Sequence, residues 1–280
     1  MELILSDTEF ELFKKLINNC TGISLSDEKK VRFKRKVEDR LHRLGLTSYN
    51  AYYRYLRQDM EGDGLELRQL INAITVDVTE FFRHPKQFEI MSNVVLPQIT
   101  TKKNRSKKLR IWSAGCSRGH EAYSIAMLVD DMVGQRQNGT WDVKILASDI
   151  DTDALRFAYI GKYPSNDIKG IPSNYLDKYF ESGTEKDDGF FLIKKSLKKN
   201  ILFRRLNLSH FDFTMKSPVD IIFCRNVMIY FSSEAKKLLI DNFFNAMQQG
   251  GVLFLGSFES LYGLDDRFTL ISDSIYQKES

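Results

Sequence analysis

The stretch Leu109–Leu128, LRIWSAGCSRGHEAYSIAML, decides the fold. It opens with a short apolar run, Leu109-Arg110-Ile111-Trp112, long enough for one buried strand. Small residues follow (Ser113, Ala114, Gly115), and Gly119 closes a tight loop. From His120 onward Tyr123, Ile125, Ala126 and Val129 fall on helical spacing. Strand, glycine loop, helix is the turn on which α/β proteins hold a nucleotide-like ligand. Glycine lets the backbone approach the ligand, and the helix start offers free N–H groups. The spacing Gly115-x-x-x-Gly119 is neither the G-x-G-x-x-G of dinucleotide binders nor a P-loop. By itself the loop is equally compatible with an ordinary turn before a helix.

The next segment shifts that balance. Val143–Ser148 reads as a second strand with Asp149 at its end, followed by Ile150, Asp151 and a new helix. An acid at the tip of the second strand is where this architecture grips a ribose diol. Asp151 has the position of a helix N-cap, whereas Asp149 lies too early to cap and is free to bind.

Composition narrows the class. The content of 42% hydrophobic and 28% charged residues is ordinary for a globular protein. No apolar run approaches the ~20 residues of a membrane span, and the acidic start MELILSDTEFELF lacks the basic opening of a signal peptide. Cys20, Cys116 and Cys224 are far apart without C-x-x-C spacing, so neither a disulfide framework nor a metal site is expected. The expected location is the cytoplasm, without membrane insertion.

Residues 1–75 read as a small all-α N-terminal domain. Ser6 or Asp7 caps a first helix carrying Phe10, Phe13, Leu16 and Ile17. Ser26 caps a second, whose Phe33, Val37, Leu41 and Leu44 make one apolar stripe. On that helix Lys29, Arg32, Lys36, Arg40 and Arg43 form a separate basic stripe, and residues 29–43 carry eight Lys/Arg against Glu38 and Asp39. A basic helix is often only a solvated face, but segregation to one side favours docking on an acidic partner. No aromatics interleave the stripe, which argues against single-stranded nucleic acid, and no nucleic-acid partner is expected. Tyr49–Asp59 and Leu65–Ile74 supply two further helices. Residues 76–108 read as a linker with a connecting helix that starts at Pro85 and runs toward Leu96-Pro97, and Thr100–Lys108 reads as a surface connection.

Residues 109–280 read as an α/β domain. The alternation of strand and helix breaks at about 163–199, read as an inserted small antiparallel β subdomain, and Ile201–Leu206 returns to the main sheet. Val219–Cys224 is a buried strand, Ser232–Met247 a helix, and Gly250–Gly256 a strand announced by the Gly250-Gly251 turn. Phe268–Ile271 and Ile275–Gln277 suggest a closing antiparallel pair.

Two segments, Thr79-Glu80-Phe81-Phe82-Arg83 and Phe223-Cys224-Arg225-Asn226-Val227-Met228-Ile229-Tyr230-Phe231, resemble signatures of the chemotaxis receptor methyltransferases, the CheR family. The glycine loop and the Ser148–Asp151 segment lie between them in the family's order, and the similarity covers essentially the whole chain. The resemblance implies a Rossmann-like S-adenosylmethionine-dependent methyltransferase domain behind the helical one. It implies methyl transfer to glutamates of methyl-accepting chemoreceptors, with S-adenosylhomocysteine as by-product and a role in sensory adaptation. It also implies cofactor contacts at Asp77, Thr79, Arg83, Gly115, Glu121, Asp149, Asn207-Leu208 and Asn226-Val227, and docking of the basic helix on acidic receptor helices. Asp77 stands where the family often has Asn, and His120 replaces the first of two adjacent acids. In some members the inserted subdomain also pairs with a receptor C-terminal peptide. The turn Ser182–Gly189 has the length of those members but less glycine. Arg83 and Tyr230 are the residues expected to orient the acceptor carboxylate, with Phe81 and Phe82 excluding water. A monomer is expected. Two other functions remain open on the sequence: a cofactor-binding adapter without catalysis, and a methyltransferase acting on a small molecule or nucleic acid.

Overall fold

The computed structural model describes residues 3–75, 78–134, 140–183, 189–210 and 217–279. The first helix, α1 (Asp7–Thr21), opens with a capping box in which Ser6 Oγ accepts the Glu9 N–H and the Glu9 carboxylate accepts the Ser6 N–H. Ser26 does not cap the second helix as expected. A 3-10 turn, Asp27–Lys29, intervenes without a side-chain cap bond, and α2 runs Lys30–Leu44. With α3 (Tyr49–Asp59) and α4 (Leu65–Ile74) these helices close a core of Phe10, Phe13, Phe33, Val37, Tyr52 and Leu70.

The connecting helix is longer than the sequence suggested. α5 (Pro85–Ile90), a π-helical turn at Met91–Val95 and α6 (Leu96–Lys102) follow without a break. Met91, Val95, Leu96 and Ile99 pack into the core of the main sheet. Thr100, expected on a surface connection, is buried with its hydroxyl donating to the Leu96 carbonyl at 2.7 Å.

The second unit is a seven-stranded sheet of order β6-β2-β1-β7-β8-β10-β9. Its strands are β1 (Lys108–Ala114), β2 (Asp142–Asp149), β6 (Ile201–Arg205), β7 (Val219–Cys224), β8 (Met247–Leu255), β9 (Phe268–Ser272) and β10 (Ile275–Lys278). The first five are parallel, and β10 lies antiparallel to both β8 and β9. Successive residues of the central strands serve opposite faces. Ile111, Ile221 and Phe223 join one core with the connecting helix, whereas Trp112, Ile222 and Cys224 join the other. Covered on both faces, such strands read as apolar runs rather than alternations, as VDIIFC does. The strand expected at Gly250–Gly256 begins earlier, at Met247. Gly250 lies inside it with φ 72°, and the pairing to β7 shifts register between Val219 and Ile221.

The helices α7 (His120–Gly134), α8 (Thr152–Ile160) and α11 (Ser233–Ala246) connect these strands. Between α8 and β6 stands a separate antiparallel sheet of order β3-β5-β4, made of Lys162–Pro164, Phe190–Ile193 and Phe180–Ser182. The helices α9 (Ser173–Tyr179) and α10 (Lys195–Lys198) accompany it.

Three seams join the helical unit to the sheet unit. Ile23 pairs antiparallel with Phe231, and the Ser24 N–H donates to the Tyr230 carbonyl at 2.7 Å. Thr75 Oγ1 donates to Asp151 Oδ2 at 2.7 Å, and the Asn72 amide bonds Thr152. Asn207 Nδ2 donates to the Cys20 carbonyl at 2.7 Å. Among the described residues no helix is long and apolar enough to cross a membrane.

Candidate active site

The strand order places β1 beside both β2 and β7, so the chain direction of the connections reverses there. The crevice at the carboxyl ends of these strands is the ligand site of open α/β sheets. Here the three seams hold the helical unit over that crevice and turn it into a cavity. Its floor comes from the glycine loop, the tip of β2 and the segment after β7. Ile23, Leu25 and Phe33 of the helical unit supply apolar wall.

The Gly115 amide donates to the Ser148 carbonyl at 2.8 Å, and its φ is 84°. A Cβ there would lie 2.3 Å from Val227 Cγ2, so glycine is what allows the β1 and β7 loops to meet on the cavity floor. Asp149 also lines the cavity. Its Oδ2 accepts the Ser117 N–H at 2.7 Å and its Oδ1 accepts the Asp151 N–H at 2.9 Å. Burial pushes its carboxyl up to about 6, against the pull of these amides. A carboxylate has about four acceptor sites, so capacity remains for a ligand diol. Asp151 is the N-cap of α8, as expected, but its second oxygen also holds Thr75 of the helical unit.

A buried polar network lies at the end of the floor nearest β7. Glu121, on the first turn of α7, accepts Ser113 Oγ at 2.7 Å through Oε1 and Arg225 Nε at 2.7 Å through Oε2. Arg225 Nη1 donates to the Arg83 carbonyl at 2.6 Å and to Gln87 Oε1 at 3.0 Å. Its guanidinium also lies over the Phe88 and Phe223 rings, at 5.2 and 5.7 Å from their centroids. Arg225 stands in the Phe223–Phe231 segment, but the sequence alone assigns it no role. The available signal was a charge directly following a six-residue buried strand.

Glu259 is a further residue beneath the loop after β7. Its buried carboxylate accepts the N–H groups of Asn226 (2.8 Å), Gly256 (2.7 Å) and Ile229 (3.2 Å). It thereby fixes the loop after β7, including Asn226 at φ 61°. Nothing local in the sequence marks it.

The cavity brings together Thr79, Arg83, Asn207, Leu208, Asn226, Val227 and Tyr230 with Gly115, Glu121 and Asp149. Arg83 is half-buried, its Nη1 reaching the Val78 carbonyl at 3.4 Å. The Asn207 side chain turns to Cys20 and Ser209 rather than into open space. Asp77 lies outside the described residues. Phe81 and Phe82 do not face the cavity: Phe81 packs on His120 and Tyr163, and Phe82 on Phe88 and Tyr175. His120 joins that core, where burial pushes its imidazole down to about 4 and keeps it neutral, with Nε2 3.2 Å from Asp167.

The basic stripe divides. Lys29, Arg32 and Lys36 line the same cavity, and the Lys29 ammonium stands 4.7 Å from the Tyr230 ring centroid. Arg40 turns inward, donating to Glu66 through Nε at 2.9 Å and Nη2 at 2.6 Å, with Tyr52 on the same carboxylate. Arg43 is exposed and away from the cavity.

A glycine loop after β1, an acid at the tip of β2 and an antiparallel strand inserted between β8 and β9 define a Rossmann-like methyltransferase fold. Residues 8–75 match the family model described as "CheR methyltransferase, all-alpha domain", and residues 77–277 match "CheR methyltransferase, SAM binding domain". The chain belongs to the CheR methyltransferase family, and its cofactor is S-adenosylmethionine. It is 35% identical over 274 residues to a chemotaxis protein methyltransferase of Escherichia coli (strain K12), covering 98% of this chain and 92% of that one. A protein of the same description from Borreliella burgdorferi is 32% identical over 280 residues, covering 99% of this chain and 96% of that one. The cavity's polar groups fit the cofactor: the Asp149 carboxylate, an acceptor, suits a ribose diol. The Glu121 carboxylate and Arg225 guanidinium suit a zwitterionic amino-acid group.

Proposed function

We propose that this chain transfers the methyl group of S-adenosylmethionine to glutamate side-chain carboxylates of chemoreceptors, forming methyl esters for sensory adaptation. One observation carries the proposal. Lys29, Arg32, Lys36 and Arg83 line the same cavity as the glycine loop and Asp149, so groups that attract an acidic acceptor share one chamber with the cofactor floor.

Asp149 would hold the ribose diol, Glu121 and Arg225 the amino-acid end, and the Asn207-Leu208 and Asn226-Val227 pairs the remaining walls, with Thr79 beside them. When bound, S-adenosylmethionine supplies a methyl group on a sulfonium that carries its own leaving group. A glutamate acceptor, with an ordinary pKa of about 4.3, is already anionic at neutral pH, so the chain needs no general base. The acceptor's charge shrinks as the methyl ester forms. A tight cation on it would stabilise the ground state more than the transition state, and positioning matters more than charge. Arg83, only half-buried, orients the carboxylate at the cavity edge, and Tyr230 holds it by its hydroxyl. The Lys29 ammonium against the Tyr230 ring fixes that ring and brings cationic charge to the entrance.

Incubation with labelled S-adenosylmethionine and receptor-containing membranes tests the proposal. Base-labile label on the receptor is expected, and none on an equal mass of nucleic acid. Arg83→Ala separates catalysis from an adapter role: binding of S-adenosylhomocysteine should stay within a few-fold while methyl transfer collapses. Transfer that survives in Arg83→Ala would remove Arg83 from the site, and wild type that labels no receptor would overturn the proposed function.

A further inference from the structure

Phe258 and Tyr262 are 89% and 95% exposed, yet the turn that carries them is anchored. Glu259 and Leu261, which alternate with them, are 5% and 2% exposed. Glu259 is tied to the loop after β7 as described. The Leu261 N–H donates to the Tyr276 hydroxyl at 3.2 Å, and the Leu261 carbonyl accepts the N–H groups of Leu264 at 2.8 Å and Asp265 at 3.2 Å. Two large aromatic side chains thus project into water from a fixed backbone. Leaving such area hydrated forgoes the stabilisation that burial would gain. Anchored, exposed aromatics are the composition of binding hot spots rather than of ordinary surface.

Their place gives the exposure a purpose. Ser257 Oγ lies 3.3 Å from Nδ1 of His84, the neighbour of Arg83. Glu259 bonds Asn226 and Ile229, and Ile229 is itself 46% exposed. The turn therefore stands at the rim between the two segments that carry Arg83 and Tyr230. Through Tyr230, which lies against Lys29, the rim continues into the cations Arg32 and Lys36.

We propose that Phe258, Tyr262 and Ile229 form an apolar ledge that packs on the apolar face of an acidic amphipathic helix and so presents the acceptor glutamate to the cavity. The inference rests on the reading that the acceptor is a protein glutamate. Charge complementarity selects the occupant. An apolar ledge that continues into three cations matches a helix with one apolar and one acidic face. The cations stand in a cavity wall, which a protruding side chain can enter and a planar lipid surface cannot. The ledge and the cations have different jobs: long-range attraction is screened by salt, whereas apolar contact is not.

The test uses the full chain carrying Phe258→Ser and Tyr262→Ser with receptor-containing membranes. We expect KM for receptor to rise about tenfold, in the range of hot-spot truncation, at both low and high salt. Turnover at saturating receptor and affinity for S-adenosylhomocysteine should be unchanged, the latter also reporting an intact fold. An unchanged KM overturns the ledge. Co-sedimentation of wild type with receptor-free phosphatidylglycerol vesicles, lost in the double variant, would assign the aromatics to lipid and overturn it as well. Failure of the underlying reading shows differently, as a wild type that labels no receptor, and the ledge then falls with it.

Discussion

Arg225 Nε donates to Glu121 Oε2 at 2.7 Å, joining two side chains that are 2% and 10% exposed beneath the cavity. A buried pair of this kind contributes little net stability, because each charge was costly to desolvate. Removing one member alone leaves the other buried and uncompensated, at about 3–5 kcal/mol. Arg225→Met is therefore expected to lower the urea midpoint strongly, and Glu121→Gln in the same background to restore part of the loss. Equal midpoints for wild type and Arg225→Met would mean that Glu121 finds another partner.

Asp149 gives a pH signature. Its carboxyl, raised by burial to about 6, is protonated in the folded protein over a range where an unfolded aspartate is already ionised. The sign follows: this group's contribution to stability is largest below about 4 and falls as pH rises toward 6, the reverse of an ion-paired aspartate. Diol hydroxyls donate to the anion, so affinity for S-adenosylhomocysteine should rise about tenfold from pH 5 to pH 7, following the ionised fraction. Asp149→Asn should bind weakly and lose that dependence in calorimetric titration. A pH-independent wild type would contradict the assignment.

Within the basic stripe two kinds of arginine should separate. Arg40→Ala strands the Glu66 carboxylate, whose side chain is 6% exposed, and should cost about 3 kcal/mol of stability. Arg32→Glu with Lys36→Glu should leave the melting temperature nearly unchanged. It should lower receptor methylation, with a loss that shrinks as salt rises. Equal stability effects from the two variants would refute this division.

Glu259→Gln replaces a carboxylate that accepts three backbone N–H groups by an amide that offers one acceptor oxygen. Charge-assisted bonds of this sort contribute about 1.5–3 kcal/mol. The loop from Asn226 to Ile229 should loosen, and S-adenosylhomocysteine affinity should fall about tenfold with only a modest fall in melting temperature. Calorimetry and thermal unfolding on the same sample check both.

The inserted sheet of order β3-β5-β4 places β3 and β4 at its edges, and an edge strand can accept an extended peptide. The tethering turn considered from the sequence falls largely on residues 184–188, outside the described residues. A peptide copied from the C-termini of the host receptors is expected to bind the whole protein in surface plasmon resonance, and equally the Arg32→Glu, Lys36→Glu variant. No binding at high micromolar concentration would exclude the tether.

Local chemistry determined the elements. The β1 run, the glycine at 115 and the periodic apolar residues of α7 encode strand, turn and helix within about twenty residues. Asp149 needs only to follow β2 to stand at its tip. VDIIFC is apolar enough to name a central strand without any partner in view, and the signature segments led directly to Thr79, Arg83, Asn226, Val227 and Tyr230 of the cavity. What tertiary structure alone decided is what each face meets. Helical periodicity grouped Lys29, Arg32, Lys36, Arg40 and Arg43 on one stripe. Only the seams at Ile23–Phe231 and Thr75–Asp151 brought three of them over the cavity, while Glu66 drew Arg40 inward. Glu121 and Arg225 are 104 positions apart, and they meet because β7 pairs with β1 while β2 and β6 lie to β1's other side. Glu259 is visible as a functional residue only through the backbone amides that it holds. A sequence states which side chains a helix or strand will present, but a contact between distant segments depends on strand order and domain docking, which no local pattern carries.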